Sequence, residues 1–104
     1  MPVLEVAILD VRNGEQAAFE QAFREAQSII ASMPGYLEHS IRRCIEKPSR
    51  YILLVEWQEL EHHIHGFRDS PEYVRWKSLL HRFYEPFPEV EHYEQIAGLE
   101  GRRR

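Results

Sequence analysis

The sequence predicts an α+β domain with the element order β-α-β-β-α-β. Three observations carry this. Apolar residues alternate with period two near both ends of the chain and in a close pair in the middle. Between these stretches they recur at helical spacing. Pro-Gly and Pro-x-Pro signals punctuate the joins.

The first strand is expected over Val3–Val11. Leu4, Val6 and Ile8 mark one face and Val3, Ala7, Leu9 and Val11 the other, interrupted only by Glu5 and Asp10. A strand apolar on both faces must be covered on both. Asn13 and Gly14 then open a helix, with Asn13 as its cap and Gln16 completing a capping box. Phe19, Ala22, Phe23, Ala26, Ile29, Ile30 and Met33 supply its apolar stripe, and Pro34-Gly35 stops it.

The second strand is expected over Tyr36–Glu46. Leu37, His39, Ile41, Arg43 and Ile45 share one face; Tyr36, Glu38, Ser40, Arg42 and Cys44 share the other. Lys47-Pro48-Ser49 makes a turn into a third strand, Arg50–Trp57, as an antiparallel hairpin. Glu59–His65 suits a short helix with Leu60, Ile64 and Phe67 on one stripe. Ser70-Pro71 caps and starts the next helix, which is expected to run to about Tyr84 with Tyr73, Trp76, Leu80 and Phe83 buried. A last strand is expected over Val90–Ile96, followed by a frayed tail.

This order is the ferredoxin-like, split βαβ arrangement of a four-stranded antiparallel sheet with its helices on one side. The other sheet face is then bare, and in the first and third strands it is apolar. Such a patch marks an interface, and the simplest cover is a second identical sheet across a two-fold axis. A homodimer is the expected assembly.

Composition narrows the function. A chain of 104 residues is one domain that buries roughly 65% of its unfolded surface. Residues 1–97 are expected to form it and residues 98–104 a C-terminal tail. The net charge is -4, and Arg102, Arg103 and Arg104 sit together at the end, so no basic stripe is offered to nucleic acid. The lone cysteine, Cys44, permits no internal disulfide and suits a cytoplasmic protein. No stretch approaches the roughly 20 apolar residues of a membrane span. Glycine-rich phosphate loops and a Gly-x-Ser-x-Gly elbow are missing from the sequence.

The second half carries more specific marks. Tyr51–Trp57 ends in Glu-Trp, Phe67–Tyr73 reads Phe-x-x-Ser-Pro-x-Tyr, and Pro88–His92 reads Pro-x-Val-x-His. With these the chain resembles the antibiotic biosynthesis monooxygenase (ABM) domain family over about residues 3 to 97. The resemblance implies a subunit that pairs through its sheets into a dimeric α+β barrel. It also implies, for some members, oxidation of phenolic polyketides or quinols by molecular oxygen without metal, flavin or haem. A haem-degrading branch of similar fold uses an asparagine and a histidine at positions that align with Ala7 and Lys77. Neither residue matches, although His81 lies one helical turn from Lys77.

The expected site is an apolar cleft on the helical side of the sheet. Its expected catalytic residues are His63, Tyr73 and His39, with Tyr51, Trp57, Phe67, Trp76, His81 and Tyr84 lining the substrate. A histidine would serve as base near neutral pH, and tyrosine and histidine hydrogen bonds would hold the substrate anion. No cofactor and no metal are expected. Glu59, His62, His63 and His65 are the nearest approach to a metal cluster, with His62 and His65 on one helix face, but their helix is short, the usual histidine spacing is absent and a site needs three or four converging ligands. A small aromatic molecule is the expected ligand. The alternative function is a non-catalytic module that binds a small ligand or a protein in the same cleft.

Overall fold

A computed structural model describes residues 1–103. The elements are β1 (Val3–Asp10), α1 (Gln16–Ala31), β2 (Tyr36–Arg43), β3 (Arg50–Trp57), a π-helical segment (His62–Phe67), α2 (Pro71–Leu80), a 3-10 turn (His81–Phe83) and β4 (Val90–Glu94). The strands form one antiparallel sheet in the order β2-β3-β1-β4. This is the expected ferredoxin-like α+β architecture. The two most apolar strands take the centre, where both neighbours satisfy their backbone groups.

Alternation decides which side of each strand is covered. Glu5, Ala7 and Leu9 of β1 and Tyr51, Leu53, Val55 and Trp57 of β3 are buried under the helices. They meet Phe19, Phe23, Ala26 and Ile30 of α1 and Trp76 and Leu80 of α2 in a single core. The reverse face carries Leu4, Val6 and Ile8 beside Ile52 and Leu54, and no helix covers it. No helix among the described residues is long and apolar enough to cross a membrane.

Several boundaries differ from expectation for identifiable reasons. Asn13 does not cap α1. Gly14, at φ +89°, belongs to a turn, the Glu15 amide bonds the Arg12 carbonyl at 3.0 Å, and Glu15 takes the cap position without a side-chain bond. Gln16 instead accepts from the Gly14 amide at 2.8 Å. At its C-terminus α1 stops at Ala31, before Met33. In β2, a bulge at Leu37 shifts the register between Tyr36 and Glu38. Two residues then oppose one, so Tyr36 turns to the helical side and packs on Trp57. β2 also ends at Arg43 rather than Glu46, because the chain bends before the Lys47 turn.

The expected helix over Glu59–His65 is wound instead as the π-helical segment, with the Arg68 amide bonded to the His63 carbonyl at 3.1 Å. This winding buries His63 and Phe67 in place of Leu60 and Ile64. Ser70 caps α2 as expected, accepting from the Tyr73 amide at 3.2 Å. α2 then tightens into the 3-10 turn, and Tyr84 bridges to Val11. β4 ends at Glu94, short of Ile96.

One glycine positions the π-helical segment. Gly35 has φ +83°, and a Cβ there would overlap the His62 ring. The imidazole therefore sits directly on the backbone at the start of β2, which fixes where the neighbouring His63 enters the core. Gly35→Ala adds left-handed strain and a steric overlap, and is expected to cost about 2 kcal/mol or more. Thermal unfolding should show a Tm at least about 8 °C lower.

Candidate functional site

A cavity of about 380 Å³ opens between the sheet and α2. Its floor is Glu5, Ala7 and Leu9 of β1, Leu53 of β3 and Val90 of β4. The small side chain of Ala7 leaves the room at the centre of that floor. The walls are His63, Phe67 and Arg68 from the π-helical segment and the residue after it, Tyr73, Trp76 and Leu80 from α2, and His81, Tyr84, Phe87 and Pro88 beyond. A volume and lining of this kind suit a small aromatic ligand.

The structure thus brings together His63, Phe67, Tyr73, Trp76, His81 and Tyr84. It places His39 and Tyr51 elsewhere, in a cleft of about 440 Å³ between α1 and β2. That cleft is larger, but Glu20, Arg43, Tyr51, His39 and Gln27 of its lining are already engaged with one another or with Tyr36. Glu20 accepts from both Tyr51 and Arg43, and His39 is bonded to Tyr36 and Gln27. Trp57 does not line the cavity. Its ring is fully buried behind it, stacked on His63 at 5.5 Å between centroids. Glu59, His62 and His65 go separate ways. Glu59 pairs with the N-terminus at 2.8 Å, His65 faces Asp69 at 3.6 Å, and His62 packs on Gly35.

Glu5, Arg68 and His92 were not among the expected site residues. Glu5 is only 5% exposed. The Trp57 indole N–H donates to its Oε1 at 2.9 Å, and His63 Nε2 lies 3.3 Å from the same oxygen. His63 Nδ1 in turn lies 2.8 Å from His92 Nε2. Burial pushes the Glu5 carboxyl up to about 7, against the opposing pull of the Trp57 bond and the Arg68 guanidinium. Burial also takes His63 down to about 3, with Arg68 and His92 acting in the same direction. A carboxyl near 7 is a base matched to neutral pH, whereas a buried imidazole held neutral is a weak one. Burial raises Tyr73 and Tyr84, so both phenols stay neutral donors. The sequence did hold a signal for Glu5, since it is an acid on the face that Ala7 and Leu9 commit to the core.

Residues 2–79 match the family described as antibiotic biosynthesis monooxygenase. The chain belongs to this ABM family. A relative at full length is the uncharacterized protein YczJ of Bacillus subtilis (strain 168), 52% identical over 94 residues that span 90% of this chain and 99% of that one. Protein SchA of Streptomyces halstedii is 24% identical over 95 residues, which make up 20% of its length. Among solved structures, an ABM-assigned protein from Bordetella bronchiseptica superposes with a TM-score of 0.88 at 28% identity, covering 91% of this chain and 97% of that one. SnoaB, a cofactor-independent oxygenase from Streptomyces nogalater, superposes with a TM-score of 0.81 at 20% identity, covering 96% and 98%. At that identity SnoaB shares the ABM fold, and its chemistry is its own.

Proposed function

We propose that the protein is a cofactor-independent monooxygenase that oxidises a phenolic or quinol-type aromatic, acting as a dimer paired through the open sheet faces. The observation that carries the reading is an aromatic-walled cavity, in an ABM-family fold, with a buried carboxyl–imidazole pair where its floor meets its wall. The oxygenase activity of SnoaB supports it as an analogy of fold. The reaction asks little of the protein. A phenolic or enolic proton is removed, the substrate anion reduces oxygen by one electron, the radicals combine to a peroxide anion, a proton returns to it, and water leaves with the hydrogen of the oxygenated carbon to form the carbonyl. Walls of Phe67, Trp76 and Tyr84 would hold the ring flat. Tyr73, a neutral donor, would bond the developing oxyanion. His63 orients the carboxyl beside it. His39 and Tyr51, in the other cleft, take no part in this scheme.

The test is oxygen uptake by metal-stripped protein against anthrones, hydroquinones and catechols, with a boiled-protein blank. Turnover without added cofactor is expected. Tyr73→Phe and His63→Ala should each lower it at least about tenfold, the lower end of what orienting and acid–base groups supply. Unchanged rates in both variants would move the site elsewhere. Tight binding of a panel member without uptake would favour a non-catalytic binding module.

A further inference from the structure

The run of polar contacts that starts at Glu5 on the cavity floor continues out of the cavity. Glu5 and His92 stand directly opposite each other on β1 and β4, so the pleat puts both on the helical side. His63 descends from the π-helical segment and touches both, with Nε2 at 3.3 Å from Glu5 and Nδ1 at 2.8 Å from His92. Glu5 and His63 line the cavity and His92 does not. His92 belongs to the edge strand and is only partly buried. The run therefore leads from the cavity floor to solvent. Trp57 and His63 both engage Glu5 Oε1, and its Oε2 has no side-chain partner among the described residues.

We propose that Glu5 is the group that takes the substrate's proton, and that His63 and His92 are the path by which that proton reaches water at the sheet edge. The proposal rests on the oxygenase reading for the identity of the substrate, and the relay itself stands on geometry. In the proton step the substrate O–H bond breaks, an O–H bond forms on Glu5, and the electron pair stays on the substrate oxygen. When Glu5 is ionised, His63 Nε2–H donates to it and His92 Nε2–H donates to His63 Nδ1. When Glu5 is protonated, it donates to His63 Nε2, His63 Nδ1–H donates to His92 Nε2, and His92 carries its hydrogen on Nδ1. The second state holds one proton more, which enters at Glu5 and leaves at His92. The two imidazoles must therefore change tautomer together with the charge on Glu5.

The groups facing the relay are consistent with this. Among the described residues, its hydrogen-bonding neighbour on β3 is the neutral Trp57 indole. Arg68, Tyr73 and Tyr84 act on Glu5 or its histidines from the helical side, and His81 lies across the cavity. A carboxyl near 7 can both accept and release a proton at neutral pH. His63, held neutral, passes the proton on without storing it.

Two measurements on the intact chain test the proposal. In nitrogen-15 spectra of wild type, the ring signals of His63 and His92 should switch between the two tautomer patterns together, in one titration centred near pH 7. In Glu5→Gln the amide oxygen takes the place of Oε1 and accepts from Trp57 and from His63 Nε2–H at every pH, so both rings should hold one pattern. Rings that titrate independently, or show no switch, overturn the relay. The second probe is 4-nitrophenol, whose absorption distinguishes phenol from phenolate, bound under anaerobic conditions. Bound probe shares one proton with Glu5 in wild type, so its absorption should titrate in two steps at least about one pH unit apart, collapsing to one step in Glu5→Gln and separating again in Glu5→Asp. Two steps that survive in Glu5→Gln overturn the base assignment, and failure to bind at millimolar concentration overturns both base and cavity. A Glu5-dependent two-step titration without oxygen uptake on any panel substrate would instead sink the oxygenase reading and leave the base standing. If Glu5→Gln does not fold, His92→Gln tests the outward end, since the His63 tautomer should then cease to follow pH.

Discussion

Leu54→Lys is expected to run as a folded monomer on a calibrated sizing column, while Leu53→Lys should fail to fold. The two leucines are sequence neighbours on opposite sides of β3. Leu53 is 4% exposed and sits in the core under α2, so an ammonium there would be buried without a partner, which costs several kcal/mol. Leu54 faces the side no helix covers. Its cross-strand neighbours are Val6 and Ser40, and Ile8 and Ile52 form the next row. Charged residues fringe this patch, with Glu38 and Glu56 at one end and Arg42 beside Ile52. An apolar centre with a polar rim is the anatomy of a protein interface. In a two-fold dimer every contact occurs twice. Substituting Leu54 therefore removes two leucines and introduces two lysines close together. Loss of each buried leucine costs about 1.5–3 kcal/mol, so the dimer should weaken at least about a hundredfold. A variant that stays dimeric would show that the sheets do not meet through this face.

Strand patterning was the most legible part of the sequence, because one covered and one open face leave a period-two record. The bounds of β3 follow directly from it. β2 was less legible because arginines and a histidine break its alternation, and a bulge at Leu37 changes register without changing composition. Tyr36 therefore lies on the face opposite to the one its alternation marks. The π-helical segment was hidden for a different reason. Ordinary helical spacing puts Leu60, Ile64 and Phe67 on one stripe, whereas the wider winding buries His63 with Phe67.

The site followed the same division. Phe67, Tyr73 and Trp76 could be placed near one another because a capped helix start fixes their spacing. His39 and Tyr51 share the buried side of the sheet with that cavity, but α1 walls them off into another cleft. Which helix covers which strand is a tertiary fact that no local pattern records. In the sequence Glu5 is only an interruption of a strand. Its meaning depends on Trp57, His63 and His92, all far away in sequence and joined to it by the sheet register and the π-helical segment.

Glu5→Gln is expected to stabilise the protein at alkaline pH relative to acid pH, even as it removes the base. Burial raises the Glu5 carboxyl from 4.5 to about 7. Below pH 4.5 it is protonated in both folded and unfolded chains and costs nothing by ionisation. As the pH rises from 4.5 to 7, the unfolded chain releases the proton while the folded chain keeps it. Stability therefore falls across this window and levels off above it. A shift of this size amounts to about 3 kcal/mol. His63 works in the opposite sense. Burial lowers it to about 3 from 6.5, so its contribution is present above 6.5 and is lost as the pH falls toward 3. The two slopes offset each other between pH 4.5 and 6.5 in wild type, which would hide the Glu5 contribution in a single curve. The difference between Glu5→Gln and wild type isolates it. Glutamine can still accept from both the Trp57 indole and His63 Nε2–H through one oxygen, so its packing change should be much the same at every pH. Denaturant unfolding of both proteins at pH 4, 6 and 8 should show a stability difference that shifts in favour of Glu5→Gln by about 2–3 kcal/mol between the first and last. A difference that does not vary with pH would mean that Glu5 ionises normally, leaving a carboxylate too weakly basic for the role the cavity floor gives it. A buried acid that lowers stability at neutral pH is the kind of local cost that a protein retains for function.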